Sequence, residues 1–113
     1  MTYLLDLLEN LGEVEAKSMF GGYGLYLDGL MFGIVADDEF YIKVDDQTRP
    51  EFESLGLEPF VYVKKGKEFS MSYYHPPVEV LEVARELCDW ATKGVGAANR
   101  SNRKKKKKPK KKL

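Results

Sequence analysis

The stretch Asp28-Gly29-Leu30-Met31-Phe32-Gly33-Ile34-Val35-Ala36-Asp37-Asp38-Glu39-Phe40-Tyr41-Ile42-Lys43-Val44 decides the fold. Asp28-Gly29 is a hairpin signal, because aspartate tolerates positive φ and glycine adopts it freely. The near-continuous apolar run Leu30 to Ala36 suits a central strand covered on both faces or nearly so. Asp37-Asp38-Glu39 makes the next turn. Beyond it the pattern alternates, with Phe40, Ile42 and Val44 on one face and Tyr41 and Lys43 on the other. Strands joined by links this short are antiparallel.

Working outward toward the N-terminus, Val14 to Leu27 is β-like but carries Gly21, Gly22 and Gly24 within Met19-Phe20-Gly21-Gly22-Tyr23-Gly24-Leu25-Tyr26. Glycines inside a strand pattern point to a bulge or to a close approach of another backbone. Ahead of it, Leu4, Leu7, Leu8 and Leu11 recur at helical spacing, with Thr2 as N-cap and Gly12 as the stop. Toward the C-terminus, Thr48-Arg49-Pro50-Glu51 has the form of a capping box that opens a short helix, with Phe52 and Leu55 facing inward and Gly56 ending it. Phe60 to Val63 and Phe69 to Tyr74 flank Lys64-Lys65-Gly66-Lys67, a hairpin with glycine at its tip. After Pro76-Pro77, Val80, Leu81, Ala84, Leu87, Cys88 and Ala91 describe an amphipathic terminal helix that frays near Gly94 and Gly96. The predicted order is α-βββ-α-ββ-α, an α+β two-layer sandwich on a mainly antiparallel five-stranded sheet.

The chain has 113 residues, enough for one domain. Its formal charge of zero hides two unlike segments. Residues 1–99 hold 18 acidic and 8 basic side chains, a net of −10, while residues 100–113 hold 10 basic side chains and no acid. Such a lysine run has no apolar surface to offset chain entropy, so residues 97–113 are predicted to be a disordered tail following a domain at 1–96. Arg100, Arg103, Lys104, Lys105, Lys106, Lys107, Lys108, Lys110, Lys111 and Lys112 are candidates for weak, sequence-blind contact with DNA or RNA through counterion release. The competing reading has the tail folding back onto its own acidic body. The start carries no basic leader or cleavage signal, and no apolar run approaches a membrane span, so the expectation is a cytoplasmic protein without a membrane partner.

No catalytic constellation emerges. The glycine cluster matches neither the Rossmann nor the Walker spacing, and a strand follows it where a helix should. The acidic groups Asp37-Asp38-Glu39 and Asp45-Asp46 sit at opposite ends of one strand, too far apart to share a metal. His75 has no Cys or second His at ligand spacing, and Cys88 reads as a small buried thiol. The surplus is aromatic. Phe20, Tyr23 and Tyr26 rim the glycine segment, and Tyr41, Lys43 and Tyr74 are placed on the sheet; these six are the candidates for a protein-binding surface.

The ordered set Met19-Phe20-Gly21-Gly22-Tyr23-Gly24-Leu25-Tyr26, Asp28-Gly29, Met31-Phe32, Tyr41-Ile42-Lys43-Val44-Asp45, Thr48-Arg49-Pro50-Glu51-Phe52, Gly56, Pro59-Phe60 and Met71-Ser72-Tyr73-Tyr74 resembles the N-terminal domain of the TfoX/Sxy family over residues 1–95. The resemblance implies the same α-βββ-α-ββ-α sandwich, related to secretion-chaperone-like folds, and no enzymatic activity, cofactor or metal. Two-domain members of the family are regulators of natural competence that act with the cyclic-AMP receptor protein. The implied partner is therefore a transcription factor of that kind, met by a monomer or homodimer. The expectation is a chain without the family's helical C-terminal domain, with the lysine tail in its place. A structural or chaperone-like dimer and a small-ligand-binding protein are the alternatives.

Overall fold

Asp28 and Gly29, Asp37 and Asp38, and Lys65 and Gly66 all take positive φ, and each pair closes a two-residue hairpin. These are the mirror-image turns whose twist matches that of the flanking strands. A computed structural model describes residues 2–19 and 22–107. The strands are β1 (Val14–Met19), β2 (Gly22–Leu27), β3 (Leu30–Ala36), β4 (Glu39–Lys43), β5 (Pro59–Lys64) and β6 (Lys67–Tyr74). They form one antiparallel sheet in the order β1-β2-β3-β4-β6-β5. The sheet has six strands rather than five because Val14 to Leu27 is not one strand. It doubles back between Met19 and Gly22, and Val14 pairs with Leu27.

Helix α1 (Thr2–Leu7), α2 (Arg49–Ser54) and α3 (Ala84–Lys107) complete the α+β architecture. Leu8, Leu25, Phe32, Ile42, Phe52, Leu87 and Ala91 are all fully buried in the core. Phe32 reaches the core through a bulge. Leu25 pairs with Gly33 and Tyr26 with Met31, which leaves Phe32 unpaired and re-aimed inward. Cys88 bonds through its thiol to the Leu7 carbonyl at 3.3 Å. Burial first, and Asp89 second, push that thiol above its ordinary value, which makes it a poor nucleophile. No helix among the described residues is long and apolar enough to cross a membrane.

Three local expectations change in the folded chain. Thr48 does not close a capping box. Its hydroxyl accepts from the Asp45 amide at 3.1 Å, while the Asp45 carboxylate accepts from the amides of Gln47 and Thr48. Glu51, freed from the cap, pairs with Lys93 of α3 at 3.0 Å. Leu55 does not face inward but is 56% exposed, since α2 stops at Ser54 and only Phe52 enters the core.

The terminal helix differs most. It begins at Ala84, after a 3₁₀ turn over Val78–Val80, and passes through Gly94 and Gly96 without breaking. A β-carbon on Gly94 would stand 2.7 Å from the Phe32 carbonyl oxygen and 2.8 Å from Ile42 Cγ2. The glycine is thus where helix and sheet touch, not where the helix ends. Residues 97–107, predicted to be disordered, are helical, and Ala97 and Ala98 are buried. Packing of Ala97 and Ala98 supplies apolar burial at the start of this segment, which the lysine run lacks. Lys108 to Leu113 lie outside the described residues.

Candidate interaction surfaces

The antiparallel register sorts the aromatic candidates by face. Ile42 stands opposite Tyr74 and Lys43 opposite Tyr73. Tyr74 therefore shares the core face with Ile42; it is 7% exposed, tilts against Phe52 and donates its hydroxyl to Glu53 at 2.7 Å. That acceptor, and burial after it, raise the phenol's pKa. Tyr74 is consequently a core residue and not a contact surface. Its neighbour Tyr73 takes the opposite face of the sheet, with Lys43 Nζ 5.2 Å from its ring centre, and is as buried as Tyr74. Burial, with a smaller contribution from Tyr26, pushes the Tyr73 phenol up to about 12. The outer-face tyrosine could have been found from alternation alone, since Tyr73 and Tyr74 must point oppositely; only the register says which is which.

The other sheet candidates divide likewise. Ile34 pairs with Tyr41, and both share the outer face with Lys43. Tyr41 is half-buried between Phe60, at 5.0 Å between ring centres, and His75, at 4.2 Å. Burial raises its pKa, and Glu39, Asp37 and Glu58 add to the rise. Tyr26 packs under Lys17, whose ammonium lies 4.8 Å from the ring centre. Tyr23 is 41% exposed opposite Ser18, near the turn end of the β1–β2 hairpin, and Phe20 lies outside the described residues. The outer face is therefore a lysine–tyrosine surface of Lys17, Tyr26, Lys43 and Tyr41 around a buried Tyr73.

Where α3 leaves the sheet, an ion pair ties it down. The Arg100 guanidinium donates from Nε to one oxygen of Asp45 and from a terminal nitrogen to the other at 3.1 Å. Asp45 is oriented in turn by the amides of Gln47 and Thr48. The Arg100 hydrogen bond, against an opposing contribution from burial, holds the Asp45 carboxyl at about 2, and Asp45 raises the Arg100 pKa. Arg100 is thus an anchor of α3. Arg103 is exposed, and Lys104 to Lys107 continue the helix. Lys108, Lys110, Lys111 and Lys112 lie outside the described residues.

The anchor has a defined pH signature. A carboxyl held near 2 against a reference of 3.8 contributes stability that is complete above the reference value and is lost as pH falls from there through 2. Both side chains are about three-quarters covered, so the contribution is about 1–2 kcal/mol after screening. In urea melts, Arg100→Ala is expected to cost that amount at neutral pH. The deficit relative to wild type should shrink toward zero as pH is lowered from 4 to 2; a deficit constant over that range would contradict the assignment.

These surfaces sit on a chain whose residues 6–98 match the family model for the TfoX N-terminal domain. The chain belongs to this family. It is 31% identical over 91 residues to "DNA transformation protein TfoX1" of Aliivibrio fischeri, a match covering 74% of this chain and 44% of that protein. It is also 31% identical over 86 residues to "DNA transformation protein TfoX" of Haemophilus influenzae, covering 75% and 39%. With "Protein Sxy" of Escherichia coli the identity is 30% over 69 residues, covering 61% and 33%. The chain thus spans less than half the length of the curated relatives it matches. Within this TfoX N-terminal domain the matched segment ends at residue 98, two residues before the Arg100 anchor.

Proposed function

We propose that this chain is a non-enzymatic regulatory adaptor in the control of DNA transformation. It would act in the cytoplasm by contacting a protein through the lysine–tyrosine face and nucleic acid, weakly, through the basic end of α3. Family membership and the relatives' names support the regulatory reading. The observation that supports the adaptor mechanism is the Asp45–Arg100 anchor, which ties the C-terminal part of α3 to the segment after β4, with the exposed Arg103 three residues further along the helix. A transcription factor of the cyclic-AMP receptor protein type is the partner in this reading. No side chain in it forms or breaks a covalent bond.

Engagement of about four phosphates would give a log–log salt slope near −3.6 and a loss of about 100-fold in affinity between ~50 and ~200 mM salt, similar for unrelated duplexes. Removing residues 104–113 leaves Arg100 on Asp45 and should abolish the binding. Anisotropy with labelled duplexes of about 20 base pairs reads this directly. Binding that persists in the shortened chain at low salt would reject the role of the basic segment.

A further inference from the structure

Two adjoining apolar grooves flank His75, with volumes of about 470 and 500 Å³, and they share His75, Glu39 and Leu81. One is floored by Leu55, Leu57, Pro77 and Val78, the other by Tyr3, Leu4 and Phe40. Exposed Leu55, Val78 and Tyr3 mean that this apolar surface faces water in the isolated chain. The rim is of one sign. Asp38, Glu39, Glu58, Glu79 and Glu82 line the two grooves, and among the described residues no Lys or Arg does. His75 is turned onto Glu39 at 3.2 Å, and the other four acidic residues line the same space. The fitting occupant is a cationic segment with long alkyl stems, whose methylenes lie on leucine and proline while the heads meet carboxylates.

The chain carries such a segment in Lys104–Leu113. It does not reach these grooves in its own molecule. They lie beside Leu81 and Glu82, just ahead of the first turn of α3. The last turn of that 24-residue helix is about 36 Å away along its axis. The six residues after Lys107 span at most about 21 Å even when fully extended. With α3 intact, acceptor and donor sit at opposite ends of one rod.

We infer that the grooves around His75 receive the lysine segment of a second copy of this chain, so that molecules associate head to tail. The donor and acceptor surfaces differ, so the contact is heterologous and builds rings or open chains, not a two-fold dimer. The charges of the two segments, −10 on residues 1–99 and +10 on residues 100–113, cancel pairwise in such an assembly. Nucleic acid would compete with the grooves for the same lysines. The inference does not rest on the proposed function, because it is read from self-association without DNA.

Sedimentation velocity on the full chain tests it. At about 20 mM salt the average mass should rise with concentration, and at about 500 mM salt the chain should run as a monomer. Reversing two rim charges, Glu79→Lys with Glu82→Lys, should weaken association at least about tenfold. The equal change made away from the grooves, Glu13→Lys with Glu15→Lys, should leave it in place; all four side chains are exposed. A free peptide of residues 100–113 should dissolve the assembly. A chain that stays monomeric at low salt, or that loses association equally in both double variants, would overturn the inference. So would a salt-dependent change of shape without any change of mass, which marks docking within one molecule.

Discussion

Gly94→Val is expected to destabilise the domain by about 3 kcal/mol or more, a fall in Tm on the order of 12–20 °C. The reason is contact and not helix propensity. A β-carbon at Gly94 would lie 2.7 Å from the Phe32 carbonyl oxygen, 2.8 Å from Ile42 Cγ2 and 3.4 Å from the Lys43 amide. Two of the three are backbone atoms of β3 and β4, so relief requires lifting α3 off the sheet and opening the core around Leu87 and Ala91. Gly96, two residues on, supplies the control. The nearest atoms to a β-carbon there belong to the tip of the Arg100 side chain, the first at 3.3 Å. Gly96→Ala should therefore be neutral or gain about 0.5 kcal/mol from improved helix propensity. If both substitutions shift the urea midpoint alike, the close approach of α3 to the sheet is wrong.

Gly22→Ala should cost a comparable amount, about 3 kcal/mol, although alanine adds a single carbon. That carbon would overlap the Val35 carbonyl oxygen and lie 3.1 Å from the carbonyl carbon. The obstruction is main chain, in the ladder where Tyr23 pairs with Val35, so no rotamer change relieves it. The β2 end of the β1–β2 hairpin must move away from β3. Hydrogen exchange should show the loss of protection concentrated at Tyr23 and Val35 and not in α3. Uniform loss across the domain, or no loss, would remove close approach as the reason for this glycine. Gly22 thus answers one question that the glycine cluster posed: the residue is bare so that another strand can pass.

Much of the sheet was readable because hairpin chemistry and side-chain alternation are local. Asp28-Gly29, Asp37-Asp38 and Lys65-Gly66 specify tight turns within four residues of sequence, and all three form. The core stripe Phe40, Ile42 and Val44 follows from period-two alternation and is buried. The resemblance to the TfoX N-terminal domain was legible for a related reason, since the turn residues and aromatic positions that carry it recur in fixed order and the family model matches residues 6–98.

The surfaces were less legible. Tyr73 and Tyr74 are adjacent and chemically identical, and a shift of register by one residue would exchange them; the pairing of β6 with β4 decides that Tyr74 takes the core face and Tyr73 the opposite one. Thr48 and Glu51 have every local qualification for a capping box. Asp45 and Lys93, distant or incidental in sequence terms, offered them better partners. The grooves at His75 draw on α1, the β3–β4 turn, the segment after α2 and the turn before α3, and no motif announces a surface made of four separate pieces.

The amino-acid order by itself determined the antiparallel hairpins, the α+β class, the family and the opposite charges of body and tail, because each depends on residue type and short-range spacing. Only the tertiary structure decided that β1 and β2 pair as two antiparallel strands, that α3 runs unbroken through two glycines to Lys107, and that Arg100 anchors it to Asp45. Those outcomes depend on contacts between segments up to about 60 residues apart, such as the 55 that separate Asp45 from Arg100. At such sites the gain from packing or ion pairing outweighs local preferences worth about 1 kcal/mol.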